Sequence, residues 1–272
     1  MVSDVSLSAS ARSNLLTLKN TADLLGQTQE RLATGKKVNS SLDNAAAYFA
    51  SEGFLNSAND LGSLKDSMGT AIQTIQSASD AIDSISNVIE QMKGLTNSAL
   101  QTTDTTTLAS LAGQYNDLRT QLDGLVTDSI FNGTNLLNST ATTLNVYFNA
   151  ANTTSLEISA VNVTSAGLGV VVAANDWAAT SDVLGAQSLL QTALATLRTE
   201  ASTFGNNNTI LSTRQDFTTN LVNTLQEASD NLVLADTNEE GANLQALQAQ
   251  SQLGIVALGI SGEQAQAILR LF

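Results

Sequence analysis

The side chains best suited to chemistry in this sequence are carboxylates and basic groups, because the chain contains no histidine and no cysteine. Its 25 Asp and Glu residues are scattered along polar helix faces. Without imidazole and thiol groups, Ser-His and Cys-His nucleophilic pairs, the usual zinc sites and imidazole acid–base chemistry are excluded. There is also no glycine-rich phosphate loop. We therefore expect no catalytic, cofactor-binding or metal-binding residues and predict that the protein is not an enzyme.

A polar segment between two helical patterns is the first place where side chains have a specific local role. Gly35 can adopt the left-handed conformation that ends a helix, and Asp43 and Asn44 can cap the next helix. We predict a hinge here, formed by Arg31, Gly35, Asn39, Ser40 and Asp43. Contact of this segment with a neighbouring subunit is the alternative, and it stays open.

Two long heptad patterns predict the helices on which the rest of the fold is built. Apolar residues recur every seven positions at Leu61, Met68, Ile75, Ile82 and Ile89, with a second apolar residue three places after each. The same spacing returns later at Leu190, Leu197, Phe204 and Leu225. Because seven residues make nearly two helical turns, each pattern predicts a helix with one narrow apolar seam. We expect the two seams to pack against each other.

The ends of the chain carry further helical patterns whose apolar side chains we expect to pack subunits together. In the first pattern these are Leu15, Leu18, Leu25 and Leu32, and in the last they are Leu253, Val256, Leu258, Ile260, Ile268, Leu269 and Leu271. From Ile255 to Ile260 apolar residues go nearly all the way round the helix, which predicts burial on several sides. One chain offers a single partner, the N-terminal helix, so neighbouring molecules must cover the rest.

In the middle of the chain, the spacing of apolar residues changes from a helical repeat to alternation. Alternating apolar residues around Leu144 to Ile158, separated by a polar turn, predict a β-hairpin within residues 143–160. Residues Val161–Thr180 indicate only irregular structure or a short strand. With no proline anywhere to interrupt helices, the predicted fold is mainly α: a long antiparallel helical bundle or coiled coil formed by both halves, with a small β-hairpin region in the middle.

Charge and hydropathy exclude other partner classes. A formal charge of −14 disfavours nucleic acid. The first 16 residues lack a basic segment followed by an apolar core, so no Sec signal peptide is expected. No window approaches the roughly 20 apolar residues of a membrane-spanning helix, so we expect no membrane insertion.

Several motifs give the chain a specific family resemblance. The stretch from Glu30 to Ala46 is similar to the flagellin pattern in which Glu-Arg-Leu, a small pair, Gly, a basic-aliphatic pair, Asn-Ser and Asp-Asp-Ala-Ala follow one another. The match continues through Phe131-Asn132-Gly133 and into Gln264–Leu271. The sequence therefore resembles bacterial flagellin in a minimal form. It departs from the family at Leu42 and Asn44, where charged residues are common, and at Ala265, where the family has proline.

The resemblance implies a structural subunit that polymerises into the flagellar filament for swimming motility, outside the cell. Residues 1–42 and 229–272 would form an inner terminal coiled coil ordered on assembly, and residues 43–228 a helical bundle domain, with no outer variable domains. The subunit would be exported unfolded by the flagellar type III system and added at the distal tip. Its implied partners are copies of itself, an export chaperone, the filament cap and hook-associated junction proteins.

The resemblance also leaves alternatives open, and the chain departs from the family at two positions linked to receptor recognition. Flagellins are often sensed by a Toll-like receptor, but Gln91 stands where the family has arginine and Gln114 where it has glutamate, so weak recognition is expected. A hook–filament junction protein of the same superfamily and a secreted coiled-coil adhesin are the alternatives. Only flagellin should extend indefinitely from a filament seed.

Overall fold

Five long α-helices and one hairpin make up the described chain. The computed structural model describes residues 9–138 and 143–269, without the side chains of Ala265, Ile268 and Leu269. In chain order the elements are α1 (Ala9–Thr34), α2 (Ala45–Ala99), α3 (Thr105–Asp128), β1 (Leu144–Tyr147), β2 (Ser155–Ile158), a 3₁₀ turn (Ala174–Trp177), α4 (Thr180–Val233) and α5 (Thr237–Leu269). The predicted fold class is confirmed. Within the described residues no helix combines the length and apolarity that crossing a membrane demands.

The contacts divide the chain into two compact units, which are described separately. The terminal unit contains residues Met1–Ser57 and Thr224–Phe272, and the central unit contains Ala58–Asn223. Helices α2 and α4 each contribute to both units. The predicted domains, with boundaries at residues 42 and 229, stay a prediction.

The core of the central unit is built on α2 and α4, which run antiparallel. Gln187 donates to the Asn97 side chain (2.7 Å) and Gln215 to the Lys65 carbonyl (3.3 Å), so the contacts advance in opposite directions along the two helices. Both heptad seams face this core. At most 1% of the surface is exposed at Met68, Ile75, Ile82, Ile89, Leu190, Leu197 and Phe204. Leu61 is half-buried, as is Leu225, which belongs to the terminal unit.

Helix α3 closes the core and holds the segment that the sequence left unassigned. Residues 161–177 run antiparallel to α3 and are fixed by its polar side chains. Asp123 accepts from the Ser165 backbone N–H and hydroxyl (both 2.7 Å), Arg119 donates to the Val170 carbonyl (3.0 Å), and Asn116 accepts from the Ala173 N–H (3.0 Å). Hydrogen bonds between α3 side chains and the backbone thus take the place of strand pairing. The segment therefore needs no regular spacing of apolar residues, and its sequence shows none.

The chain returns to helix through a left-handed turn that buries its single tryptophan. Asn175, Asp176 and Trp177 have φ of 49°, 49° and 59°, a region that Asn and Asp tolerate and Trp rarely adopts. The Trp177 ring is fully buried and meets Tyr115 edge-on, with ring centroids 5.0 Å apart. Burial raises the pKa of Tyr115 to about 12, against the lowering effect of the Arg119 guanidinium.

The predicted hairpin is confirmed. Strands β1 and β2 are antiparallel, with Leu144 opposite Ile158. Val146 and Ile158 are buried, and Asn149 closes the turn by accepting from the Thr153 N–H (2.9 Å). Alternate residues of the hairpin therefore cover the central core.

Candidate functional site

Helices α1 and α5 pack against each other as a thin antiparallel pair. Arg31 meets Glu240 at one end, and Leu18 meets Gly254 farther along both helices. A Cβ added at Gly254 would lie 3.1 Å from the Leu18 Cδ1 atom, so glycine lets the helices approach closely. The buried residues of α1 are small, namely Ala11, Thr21 and Thr28. The fully buried residues of α1 are therefore small, and several large apolar side chains of both helices stay exposed.

Of the eight described side chains predicted to pack subunits together, four are exposed in the single chain. Leu15 is 48% exposed, Leu253 71%, Val256 59% and Ile260 52%. Half-buried members of the predicted set are Leu18, Leu25, Leu32 and Leu258. Leu271 lies outside the described residues, as do the side chains of Ile268 and Leu269. A row of large apolar side chains on two neighbouring helices is typical of a protein–protein contact surface.

Two exposed apolar residues near this pair were missed by the sequence interpretation. Leu42 is 95% exposed and Phe49 is 65% exposed. Neither belongs to a heptad seam, because Leu42 lies in the connector between α1 and α2 and Phe49 in the first turns of α2. The available signal, for Leu42 alone, was its departure from the motif that residues 30–46 resemble.

The connectors of the terminal unit are paired through their backbones. The N–H groups of Lys37 and Val38 both donate to the Val233 carbonyl (2.7 and 3.3 Å), and the Ala235 N–H donates to the Gly35 carbonyl (2.9 Å). Gly35 has φ of 71°. The link between α1 and α2 is thus fixed to the link between α4 and α5.

Asp43 organises the first connector. Its Oδ2 atom accepts from the N–H groups of Asn39 (3.0 Å) and Ser40 (2.9 Å) and from the Ser40 hydroxyl (3.2 Å). The hydrogen bonds from the Ser40 and then the Asn39 backbone lower the pKa of Asp43. Of the two residues expected to cap α2, Asn44 does so, accepting from the Ala47 N–H (3.1 Å). Asp43 closes the connector instead, because its carboxylate is turned back towards residues 39 and 40.

One charged residue of this region could not be assigned from the sequence. Glu240 is 7% exposed and accepts from Arg31 at 2.9 Å, across 209 positions of sequence. It follows Asp236, whose side chain caps α5 by accepting from the Asn238 N–H (2.8 Å). An acidic residue in a first helical turn is ordinary, since it interacts favourably with the helix dipole, so nothing in the pattern singled Glu240 out.

The two glutamines predicted to weaken receptor recognition lie on accessible helix faces of the central unit. Gln91 on α2 and Gln114 on α3 are both exposed. The nearby Glu90 lies 3.5 Å from Lys93 on its own helix. The structure brings neither glutamine into contact with a charged partner among the described residues.

Comparisons with known proteins agree along the chain. Residues 5–142 match the bacterial flagellin N-terminal helical region, and residues 188–272 match the C-terminal helical region. Flagellin FljO of Caulobacter vibrioides is 31% identical over 261 residues, covering 95% of this chain and 94% of the relative. A flagellin of Brucella melitensis is 29% identical over 275 residues, covering 97% of both.

The fold has a counterpart among solved structures. The crystal structure of Bacillus cereus flagellin superposes with a TM-score of 0.50 at 22% identity, covering 56% of this chain and 88% of that one. This likeness concerns the fold.

Proposed function

Because the chain belongs to the bacterial flagellin family and is a structural subunit of the flagellar filament, we propose that its α1–α5 pair is the surface through which copies assemble. The exposed apolar side chains of that pair carry the proposal, with Leu253 at 71% the clearest case. In a lone chain these side chains stay in water. In a filament the neighbouring copies would cover them.

The energetics favour this arrangement. Burying one exposed leucine or valine side chain stabilises an assembly by about 1.5–3 kcal/mol. Obligate interfaces bury on the order of 2,000–5,000 Å². A subunit that gains contacts of this size can offset the conformational entropy lost when its terminal helices become ordered.

We further propose that residues 1–42 and 229–272 form the innermost layer of the filament and residues 43–228 the layer around it. The hinge between the layers would be at Arg31, Gly35, Asn39, Ser40 and Asp43. In the free monomer, Ser3–Gly35 and Ala242–Phe272 would be disordered, because a thin helix pair without its neighbours buries little apolar area. NMR of the monomer tests this, and dispersed, protected signals from those segments would reject it.

The route to the filament is part of the same proposal. The subunit would leave the cell unfolded through the flagellar type III export system and join the filament at its distal tip, outside the cell. Its partners there and on the way would be an export chaperone, the filament cap and hook-associated junction proteins. We assign it no catalytic activity, cofactor or nucleic-acid partner.

Recognition by the innate receptor would be weak, since Gln91 and Gln114 offer no charge for a charge-assisted hydrogen bond. A cell reporter exposed to monomer tests this against a typical enteric flagellin. Restoring the family charges with Gln91→Arg and Gln114→Glu should raise the response. A wild-type response equal to that of the enteric protein would contradict the proposal.

The deciding experiment is filament extension. Purified full-length chain is incubated with sheared filament seeds and viewed by negative-stain microscopy, beside a variant truncated after Ser229. Long filaments from the full chain alone are expected, because the truncated variant lacks the whole of α5. A full chain that adds a single layer would favour the hook–filament junction protein, and one that stays monomeric would contradict the proposed assembly.

A further inference from the structure

A cleft of about 520 Å³ opens beside the Arg31–Glu240 ion pair in the terminal unit. It lies where α1, the first connector and the start of α5 meet. Its charged lining residues are Arg31, Lys37, Asp43, Asp236, Glu239 and Glu240. Four carboxylates therefore face two cations in one accessible space.

Glu240 is incompletely satisfied within its own chain. Its Oε1 atom accepts from Arg31 Nη1 at 2.9 Å, while its Oε2 atom is buried and accepts from no donor among residues 9–138 and 143–269. The Glu240 side chain is only 9% exposed. A buried carboxylate oxygen without a donor is costly, because it has lost water and gained nothing in return. The Glu240 side chain lines the cleft, so a rotation of its carboxylate would bring Oε2 to a donor placed there.

The charges on the cleft specify the kind of donor. Arg31 is already engaged with Oε1 of Glu240, and Lys37 Nζ donates to the Asn231 carbonyl at 3.1 Å. An excess of carboxylates favours a cationic occupant. Among the described residues no three acidic side chains are arranged to hold a metal ion. A side-chain ammonium or guanidinium, which donates hydrogen bonds directionally, fits better.

We propose that this cleft receives an Arg or Lys side chain from α1 of a second copy of the chain, which donates to Glu240 Oε2. The inference rests on the proposed self-assembly and names one contact within it. Arg12 and Lys19 are the candidate donors, because they lie two helical turns apart on one exposed face of α1. Neither makes an ion pair within the described part of its own chain.

The test compares three variants in seeded filament growth, measured as the critical monomer concentration. Glu240→Gln removes the unsatisfied carboxylate, Glu239→Gln removes an equal charge from the next residue, and Arg31→Gln breaks the intrachain pair but keeps Glu240. A hydrogen bond to a charged group contributes enough that Glu240→Gln should raise the critical concentration about tenfold or more. Glu239→Gln should raise it by less than about threefold. Arg31→Gln should raise it less than Glu240→Gln does, because a cation from a second copy can still pair with the buried Glu240 carboxylate.

The outcomes separate this contact from simpler explanations. If the Arg31–Glu240 pair is only structural, Arg31→Gln and Glu240→Gln will have equal effects, and the proposal is wrong. Cryo-EM of wild-type filaments should place an Arg12 or Lys19 nitrogen of a second copy within hydrogen-bond distance of Glu240 Oε2. A cleft filled by water or by apolar side chains in the filament would overturn it. If wild-type chain does not extend seeds, the proposed function fails as well, whereas normal growth of Glu240→Gln contradicts this contact alone.

Discussion

Both units of this chain carry apolar residues at helical spacing, and the two units reach opposite results. In the central unit, α3, the hairpin and residues 161–177 cover the α2–α4 pair, and seam residues such as Ile82 are almost fully buried. In the terminal unit α1 packs on α5, and Val256 remains 59% exposed. An apolar stripe becomes a core only when a third element covers it. Where none does, the apolar side chains stay exposed, and we propose that a neighbouring copy covers them.

The central unit also exposes apolar residues, so exposure alone does not distinguish the two units. Ile130, Val171, Val172, Leu184, Ile210 and Phe217 are each more than two-fifths exposed, yet they surround a closed core. The two units therefore differ in what lies beneath their exposed side chains. Substitutions should act on the stability of the central unit and on the assembly of the terminal unit.

The largest effect on folding is expected from Ile85→Ala. Ile85 is fully buried on α2, and removing its branched side chain leaves a cavity that costs about 2–5 kcal/mol. Urea unfolding of the monomer measures the change. The matched control is Ile210→Ala, since Ile210 is 44% exposed and should change stability by less than about 0.5 kcal/mol. Equal losses of unfolding free energy in the two variants would contradict the distinction between core and surface in the central unit.

A smaller loss is expected from Gly167→Ala in the segment along α3. A Cβ at this position would overlap the Asn162 carbonyl oxygen, so the backbone must shift. Overpacking of this kind costs about 1–3 kcal/mol. Gly185→Ala, on α4 with nothing within 4 Å of the added Cβ, should instead be neutral or stabilising by up to about 1 kcal/mol. Thermal unfolding of both variants decides whether residues 161–177 are an integral part of the central unit.

Val256→Ser tests the terminal unit. Because Val256 is already largely exposed, the stability of the monomer should change by less than about 0.5 kcal/mol. Filament growth should suffer, with a critical concentration raised roughly tenfold by the lost apolar burial. Gln252→Ser, on the same helix but without apolar area to bury, serves as control. A variant that destabilises the monomer and leaves growth intact would contradict the assignment of this surface.

The smallest effect is expected on stability at acidic pH, to which one aspartate in each unit contributes. Hydrogen bonds from Ser40 and Asn39 lower the pKa of Asp43, and those from Thr107 lower the pKa of Asp104. A carboxyl whose folded pKa lies below its unfolded value of about 3.9 stabilises the fold fully above that pH. The contribution is lost as pH falls through the folded pKa. Carbon-13 carboxyl titration should give both midpoints below about 3.9, and Asp43→Asn and Asp104→Asn should each flatten the loss of stability as pH falls below that value.

The sequence determined the regular elements of this protein. Heptad spacing predicted the long helices and the seam residues that prove to be buried, Gly35 predicted the end of α1, and alternation around Val146 predicted the hairpin. These features follow from local geometry, because periods of 3.5 and 2 residues fix which side chains share a face. The family motifs, also local, carried the identification.

Only the tertiary structure decided the contacts that join distant residues. Residues 161–177 have no period because α3 side chains fix their backbone, as the Asp123–Ser165 bonds show. Glu240 meets Arg31 across 209 positions, which no local pattern encodes. Which apolar stripe becomes core and which stays surface also depends on a covering element elsewhere in the chain. The burial of a residue depends on the elements that pack against it, so the spacing of apolar residues in the sequence does not determine it.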